Sequence, residues 1–554
     1  MAGRLLAVGM CAELFAHLSA DPAAQWTVLA GHDWPPEVLC AIEAAHPGRR
    51  CGCGEIGEQE YLRADVEALF DTAARHDHDC LFPSAAGVPL GIPGWSDVEA
   101  LLRLRRQSLT TSTLLVLARA GSLDNGPVGM LTGCSGTMAF AGMRSLFARL
   151  GRTMLRRLCS ARPSAAQMGR NCWVTVGAFL ADAKPDTYYA RWPWQAAHPP
   201  LRIYQQGGQA VRLPSSLEQM PLEALLHWSD ILGALQDVRA AVLVCRRLSR
   251  EDFNQQVLRW LWLDEIRRGE VLTLALQKRA WKRLLADCAP RIVVLPYEAR
   301  AWERSLVRQA RAYRIPSVGY QHSSLTPRHH AVLARPARES ADWVPDRILC
   351  CGEVTAERLA AVGSAYQGRL HVGAALRTDV VKLPPPGPAV LVALSSSRHE
   401  AAALFRMFAT ACKDGLCVPL IFRAHPTIPV RDLFDAYEWP VNTRFSEGRS
   451  LNEDLSEAWC VAYSSATVSL EGMRYERIPL YVNIGDILSG DPLDEVMPCK
   501  LYADSAGSLV SVLHGFLHVS GSKAQLSAEA SRYAEKYLVE PTVERIAAMS
   551  RWLD

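Results

Sequence analysis

From Arg291 to Val482 short apolar runs alternate with stretches long enough for a helix, and that alternation leaves the chain few folds to adopt. The runs are Arg291–Leu295 (RIVVL), Ser317–Tyr320, Arg347–Cys351 (RILCC), Arg369–Val372, Ala389–Leu394, Val418–Arg423, Trp459–Ala462 and Pro479–Val482. Runs such as RIVVL are apolar throughout, as a strand covered on both faces requires. A helix between consecutive strands imposes a right-handed crossover, so the strands run parallel. The fold class is α/β.

The N-terminal half repeats the pattern less evenly. RLLAVGM and WTVLAG read as strands, Asp65–Arg75 as a helix and Asn171–Leu180 as a further strand. From about Leu222 to Cys288 apolar residues recur every three or four positions, in LEALLHWSDILGALQDV and QQVLRWLWLDEIRR, which predicts amphipathic helices. A Pro-rich polar segment then precedes Arg347, and this sets the domain boundary. Residues 1–340 form a first Rossmann-like domain with a helical insertion at about 220–290. Residues 341–525 form a second, opened by RILCC, and 526–554 supply closing helices. PPPGP at 384–388 reads as a turn-rich connector.

Composition excludes several classes. With 49% hydrophobic and 21% charged residues the chain has material for more than one core. Sixty basic and 57 acidic residues leave a net charge of +3, too little to call for nucleic acid. Sixteen irregularly spaced cysteines fit buried thiols in a reducing cytosol. The opening MAGRLLAVGMCAELFAHLSA lacks the regions of a signal peptide, and no window offers the about 18 apolar residues of a membrane span. A cytoplasmic location is expected.

In a parallel sheet ligands bind beyond the carboxyl ends of the strands, so polar residues just after each run are the candidates. Arg423-Ala424-His425-Pro426 follows VPLIF. His425 is placed to donate to a phosphate or sugar hydroxyl, with Pro426 fixing the turn; a loop histidine without a ligand reads equally well. Ser464, Ser465 and Thr467 follow WCVA and precede a helix, where hydroxyls cap the helix or face an anion. Glu471, about one turn on, accepts ribose hydroxyls or is a solvated charge. Tyr297-Glu298 follows RIVVL, and Glu298 is the best-placed carboxylate of the N-terminal half. It serves as general base or nucleophile, or it simply pairs with Arg300 or Arg304. Glu303 is a second candidate carboxylate. Gln321 and His322 follow the next strand, with His322 the rival base. Arg377, after HVGAAL, and Arg423 are candidates to neutralise negative charge.

The order of these motifs carries more than any one of them. A strand ending in His-Pro, then a strand ending in Ser-Ser-x-Thr, then a helix with Glu, then IPLYVN, resembles the nucleotide-binding domain of GT-B glycosyltransferases over roughly residues 345–500. It is most similar to bacterial sialyltransferases and Kdo transferases, and also to CDP-glycerol glycerophosphotransferases. PYEARAWER and GYQHS look like bacterial surface carbohydrate biosynthesis proteins, with Ser323 where related loops have Gly. The resemblance implies a GT-B-like fold, two Rossmann-like domains facing a cleft. It implies transfer of a Kdo-like or nonulosonic (sialic, pseudaminic or legionaminic) residue from a CMP-activated donor to a bacterial surface glycan. The donor nucleotide would lie against His425, Ser464, Ser465 and Thr467. Three alternatives remain: a CDP-glycerol-type transferase, a non-catalytic subunit of a glycan assembly complex, and a UDP-GlcNAc 2-epimerase-like enzyme.

The expected partners are a nucleotide-sugar donor and a glycan or lipid-linked glycan acceptor, with no nucleic acid, no cofactor and no metal. Asp77-His78-Asp79, and the sets His76, His78, Cys80 and Cys51, Cys53, lack the spacing of usual metal sites. No phosphate-binding glycine loop of the ATPase or dinucleotide type is present. Trp260, Trp262, Arg267 and Arg268 are either a contact with the inner membrane or lipid-linked acceptor, or core residues at helical spacing.

Overall fold

The computed structural model describes residues 4–8, 25–28, 59–77, 113–117, 128–129, 172–175, 201–204, 219–249, 252–333, 341–378, 381–426, 428–485, 489–493, 499–517 and 520–552, with a few single positions besides. Among the described residues the strands are β1 (Arg4–Val8), β2 (Gln25–Val28), β3 (Thr113–Leu117), β4 (Val128–Gly129), β5 (Cys172–Thr175), β6 (Leu201–Tyr204), β7 (Gln219–Pro221), β8 (Val293–Pro296) and β9 (Ser317–Gln321). They continue with β10 (Arg347–Cys350), β11 (Leu370–Val372), β12 (Ala389–Ala393), β13 (Leu420–Arg423), β14 (Thr443–Phe445), β15 (Ala458–Tyr463), β16 (Ile478–Val482) and β17 (Leu501–Ala503).

They form three sheets, ordered β2-β1-β3-β4, β11-β10-β9-β8-β5-β6-β7 and β14-β13-β12-β15-β16-β17. Neighbours pair in parallel, as at β8–β9 and β12–β15. The expected α/β class and the GT-B-like pair of parallel sheets are both present. β9, β12, β15 and β16 are buried along their whole length. Such strands have no solvent face, which is why their sequences are mainly apolar; Ser317 and Gln321 at the ends of β9 are the buried polar exceptions.

Two expectations need correction. Arg347–Cys351 does not open the second unit: β10 pairs with β9, and β11 with β10, so both close the edge of the first sheet. The chain leaves the first unit only after β11, and the proline-rich connector at 384–388 leads into β12. The N-terminal α/β stretch is not part of the seven-stranded sheet either; β1 to β4 make a small sheet of their own.

Between β7 and β8 lie α1 (Trp228–Arg247), α2 (Phe253–Arg267) and α3 (Glu270–Arg283), the helices expected from the apolar spacing. Trp260 and Trp262 belong to their buried face, and Trp262 stacks on Phe82 with ring centroids 4.1 Å apart. Arg268 pairs with Asp264 at 2.9 Å. The two tryptophans are core residues. No helix among the described residues is long and apolar enough to cross a membrane.

The closing helices tie the units together. α4 (Ser520–Tyr537) ends on Tyr537, whose hydroxyl accepts from Leu325 N at 2.8 Å in the first unit. α5 (Val543–Ser550) returns to the first sheet, where Met549 packs among Trp173, Ala374 and Leu376 and Trp552 stacks on His371.

Candidate active site

Both large sheets reverse their strand order at one place. In the first sheet β5 lies between β6 and β8; in the second β12 lies between β13 and β15. Crossovers leave these points in opposite directions and open a crevice at the carboxyl ends, where ligands of open α/β sheets bind. Glu298 follows β8 at the first switch point, and Ser395 and Ser465 follow β12 and β15 at the second. The two carboxyl edges meet. Ser324, beyond β9, lies 3.3 Å from the Thr467 hydroxyl, and Arg328 forms a buried ion pair with Glu400 of the second unit.

At the first edge Glu298 is held from two sides. Arg300 donates through Nε to Glu298 Oε2 at 2.6 Å, and His322 Nε2 lies 3.6 Å from Oε1. Burial raises the Glu298 carboxyl, but Arg300, His322 and His329 outweigh it and bring it down to about 2. His322 Nδ1 contacts the Tyr320 carbonyl at 3.3 Å; a carbonyl only accepts, so in the neutral ring Nδ1 carries the proton and Nε2 a lone pair. Burial lowers the His322 imidazole, Glu298 opposes this and Arg377 adds to it, with a net downward shift.

Glu303 has a different occupation. Its Oε2 accepts from Glu298 N at 2.7 Å and Arg300 N at 3.2 Å, closing the capping box of the helix Ala301–Ala312. Burial and the Glu298 charge push its carboxyl up to about 8. The turn that makes this possible puts Ala299 at φ 57°, the left-handed region costly for a residue with a Cβ. Ser323 carries no positive φ, so a side chain at that position costs no backbone strain. Gln321 is fully buried; its amide donates to the Ser323 carbonyl and shapes the turn behind His322.

At the second edge His425 is half-buried and Pro426 exposed beside it. Burial and then Arg377 hold the His425 imidazole below its ordinary range. Arg377 thus acts on a histidine from each unit. Ser464 is buried, while Ser465 and Thr467 are half-buried and already engaged, Ser465 with Glu400 and Thr467 with Ser324. Glu471 is half-buried in the following helix, Val468–Arg474. Arg423 is turned away from this group. Its Nη1 donates to Asp454 Oδ2 at 2.7 Å and to the Arg449 carbonyl at 3.1 Å. Arg423, a candidate to neutralise a ligand, is held here by contacts inside the second unit.

Ser395, Arg328, Glu400 and His329 escaped the sequence reading. Ser395-Ser396-Ser397 directly follows an apolar run, the same signal that singled out Ser464 and Ser465. His329 is buried, with Nδ1 accepting from Thr326 N at 3.1 Å. No comparable pattern marked Arg328 or Glu400. Asp77 is buried and accepts from Phe82 N at 2.9 Å, while His78, Asp79, Cys80, Cys51 and Cys53 lie outside the described residues. Among the described residues no group of three His, Cys, Asp or Glu side chains has the geometry to hold a metal ion. A surface groove of about 960 Å³ lies elsewhere, lined by Lys382, Arg474, Arg532 and Glu535 among others, and includes none of the candidate residues.

No family model matches this sequence, and no curated protein matches it. Solved structures similar to the chain include MnaA of S. aureus with UDP (8% identity, TM-score 0.40), covering 70% of this chain and 95% of that one. The glycosyltransferase SnogD from Streptomyces nogalater is 14% identical (TM-score 0.38), over 70% of this chain and 99% of that one. HepE of Anabaena in complex with UDP-glucose is 10% identical (TM-score 0.37), over 69% and 99%.

Proposed function

We propose that this chain is a glycosyltransferase whose donor is a CMP-activated acidic sugar, of the Kdo or nonulosonic class, and whose acceptor is a hydroxyl of a bacterial surface glycan. The observation that carries this reading is the facing of two switch points. One bears the paired Glu298 and His322, the other a set of serine hydroxyls. A base on one side and an anion-receiving edge on the other is what sugar transfer between a hydroxyl and a phosphate requires.

His322 is the base. A carboxylate held at about 2 is a poor proton acceptor near neutral pH, whereas a buried neutral imidazole with a lone pair on Nε2 is a good one. The acceptor oxygen gives its proton to Nε2 as it bonds the anomeric carbon. The bond from that carbon to the CMP phosphate oxygen breaks, and its electron pair leaves with CMP. Glu298 stabilises the imidazolium so formed. Arg377 and His425 steady the departing phosphate, and no metal is needed for a single phosphate. Attack from the far side inverts the anomeric centre; retention would instead make Glu298 the nucleophile.

The test is a thermal-shift titration with CMP, CDP, UDP, GDP and ADP, since a ligand of the native state raises its stability by RT ln(1 + [L]/Kd). A shift with CMP alone supports the donor class. A shift with UDP or GDP keeps the reaction and replaces the donor. No shift with any nucleotide rejects the enzyme reading in favour of a non-catalytic assembly subunit. A second reading, transfer of a polyol phosphate from a CDP-linked donor, draws on the field of Arg377 reaching both His322 and His425. Release of CMP from CDP-glycerol would select it.

A further inference from the structure

The Glu400 carboxylate sits at the second sheet's switch point, and every group around it is a donor. Ser465, after β15, donates to Oε2; Arg328, from the first unit, pairs with Oε1; Ser395, after β12, also donates to the carboxylate. The ion pair is closed off from water, with the Arg328 side chain 8% and the Glu400 side chain 3% exposed. Gly490 packs over it: a Cβ there would stand 2.4 Å from Ser465 Cβ and 3.0 Å from Arg328 Cζ. Two hydroxyls and a guanidinium under a bare backbone form a cradle shaped for an anion.

Glu400 is also not where local chemistry would put it. It is the third residue of the helix Arg398–Lys413, whose N-cap Ser397 accepts from Glu400 N. A glutamate there ordinarily returns its carboxylate to the N-cap amide, as Glu453 does at Ser450 and Glu303 at Arg300. Here Ser397 N donates instead to Ser395 Oγ at 3.1 Å, and the Glu400 carboxylate reaches across to the first unit.

We propose that Glu400 occupies the seat of the donor's phosphate, and that donor binding displaces its carboxylate so that Arg328, Ser395 and Ser465 close on the phosphate. This rests on the proposed use of a nucleotide-linked donor and adds a ligand, Arg328, supplied by the opposite unit. The donor's phosphodiester, like a carboxylate, offers two charged oxygens to the planar guanidinium, so Arg328 can exchange one anion for the other. The displaced Glu400 then returns to its own N-cap. Because Arg328 belongs to the first unit and the serines to the second, the phosphate takes over the tie between the units. Burial raises the Glu400 carboxyl, but Arg328 and Ser465 outweigh this and keep it anionic, a fit competitor for an anion.

Isothermal titration of the full chain with CMP, cytidine and inorganic phosphate tests the exchange. Glu400→Gln, which removes the competing charge, is expected to bind CMP and phosphate about tenfold more tightly than the wild type and cytidine unchanged. The double variant Arg328→Met with Glu400→Gln leaves no unpaired buried charge, and is expected to bind CMP about tenfold more weakly than Glu400→Gln alone, with cytidine unchanged. If the wild type binds CMP but neither variant alters that affinity, the phosphate-seat proposal is overturned and the proposed function stands. If Glu400→Gln gains affinity for phosphate while no nucleotide binds, the seat stands and the donor reading fails. If the wild type and both variants bind neither CMP nor phosphate, both are overturned.

Discussion

Glu298 Oε1 lies 3.6 Å from His322 Nε2, while the other imidazole nitrogen faces the Tyr320 carbonyl at 3.3 Å. The pair is oriented without being joined by a hydrogen bond. Under the proposed mechanism Nε2 takes the acceptor's proton and the Glu298 carboxylate meets the charge so created. His322→Ala is expected to lower kcat about 10²–10⁴-fold, the usual worth of a positioned general base. The CMP-induced thermal shift should be retained. Loss of nucleotide binding with unchanged kcat would move His322 to the donor.

The charge of Glu298 raises the His322 pKa against the burial that lowers it. Removing the charge therefore lowers that pKa further. In Glu298→Gln the acid limb of the kcat/KM profile is expected to move to lower pH, with a reduced plateau. A residue that only props up the loop would reduce the plateau and leave the limb where it was.

Stability should respond to acid in two stages. His322, His329 and His425 all have native pKa values depressed below the ordinary 6.5. At these three groups the unfolded chain therefore binds more protons as pH falls through about 6.5, a loss of stability that Glu303, raised to about 8 in the fold, opposes at a single site. Glu298, ordinarily at 4.5 and about 2 in the fold, adds a second loss as pH falls from 4.5 towards 2. The melting temperature is expected to fall from pH 6.5 on acidification, with the lower stage missing in Glu298→Gln. A melting temperature constant between pH 7 and 5 would contradict a net excess of the three depressed histidines over Glu303.

Glu303 tests the distinction between a catalytic and a positioning carboxylate. Its two backbone contacts fix the turn that carries Glu298. Glu303→Ala is expected to cost about 1 kcal/mol in urea unfolding, the usual loss of a capping group. Glu303→Gln keeps an acceptor in place and should retain most of the activity. An activity loss in Glu303→Gln as large as in His322→Ala would instead give it a proton-transfer role.

How far the sequence exposed all this depended on how local the determinants were. β8, β9, β12 and β15 were legible because burial on both faces keeps their central positions apolar. β14 and β17 were not, since they are three-residue edge strands with partly exposed side chains. β10 and β11 were seen as strands but placed in the wrong unit. The polar segment before Arg347 looks like a boundary, and only pairing with β9 shows that the crossing comes later, near 384–388. The end-of-strand rule found Glu298, His322 and His425. It could not find the Arg328–Glu400 pair, whose partners are 72 residues apart and which answers to no periodicity.

The same limit hid the role of Arg423, and its variant separates scaffold from site in the second unit. Asp454 is fully buried and is served by Arg423 at 2.7 Å, Arg444 at 3.2 Å and Arg449 at 3.3 Å. Arg423 is the nearest of the three and adds a contact to the Arg449 carbonyl. Arg423→Ala leaves Asp454 with two cations and the Ser446 hydroxyl but without its nearest guanidinium. It is expected to destabilise the protein by about 2 kcal/mol in urea unfolding, the typical worth of a hydrogen bond to a buried charge. CMP affinity should change less than about threefold, because the guanidinium points into the unit and not at the ligand edge. His425→Ala should do the reverse, weakening CMP about tenfold, as loss of one polar ligand contact would, with little change in the unfolding midpoint. Should Arg423→Ala abolish CMP binding in a protein that unfolds like the wild type, Arg423 would have to leave Asp454 for the phosphate when the donor binds.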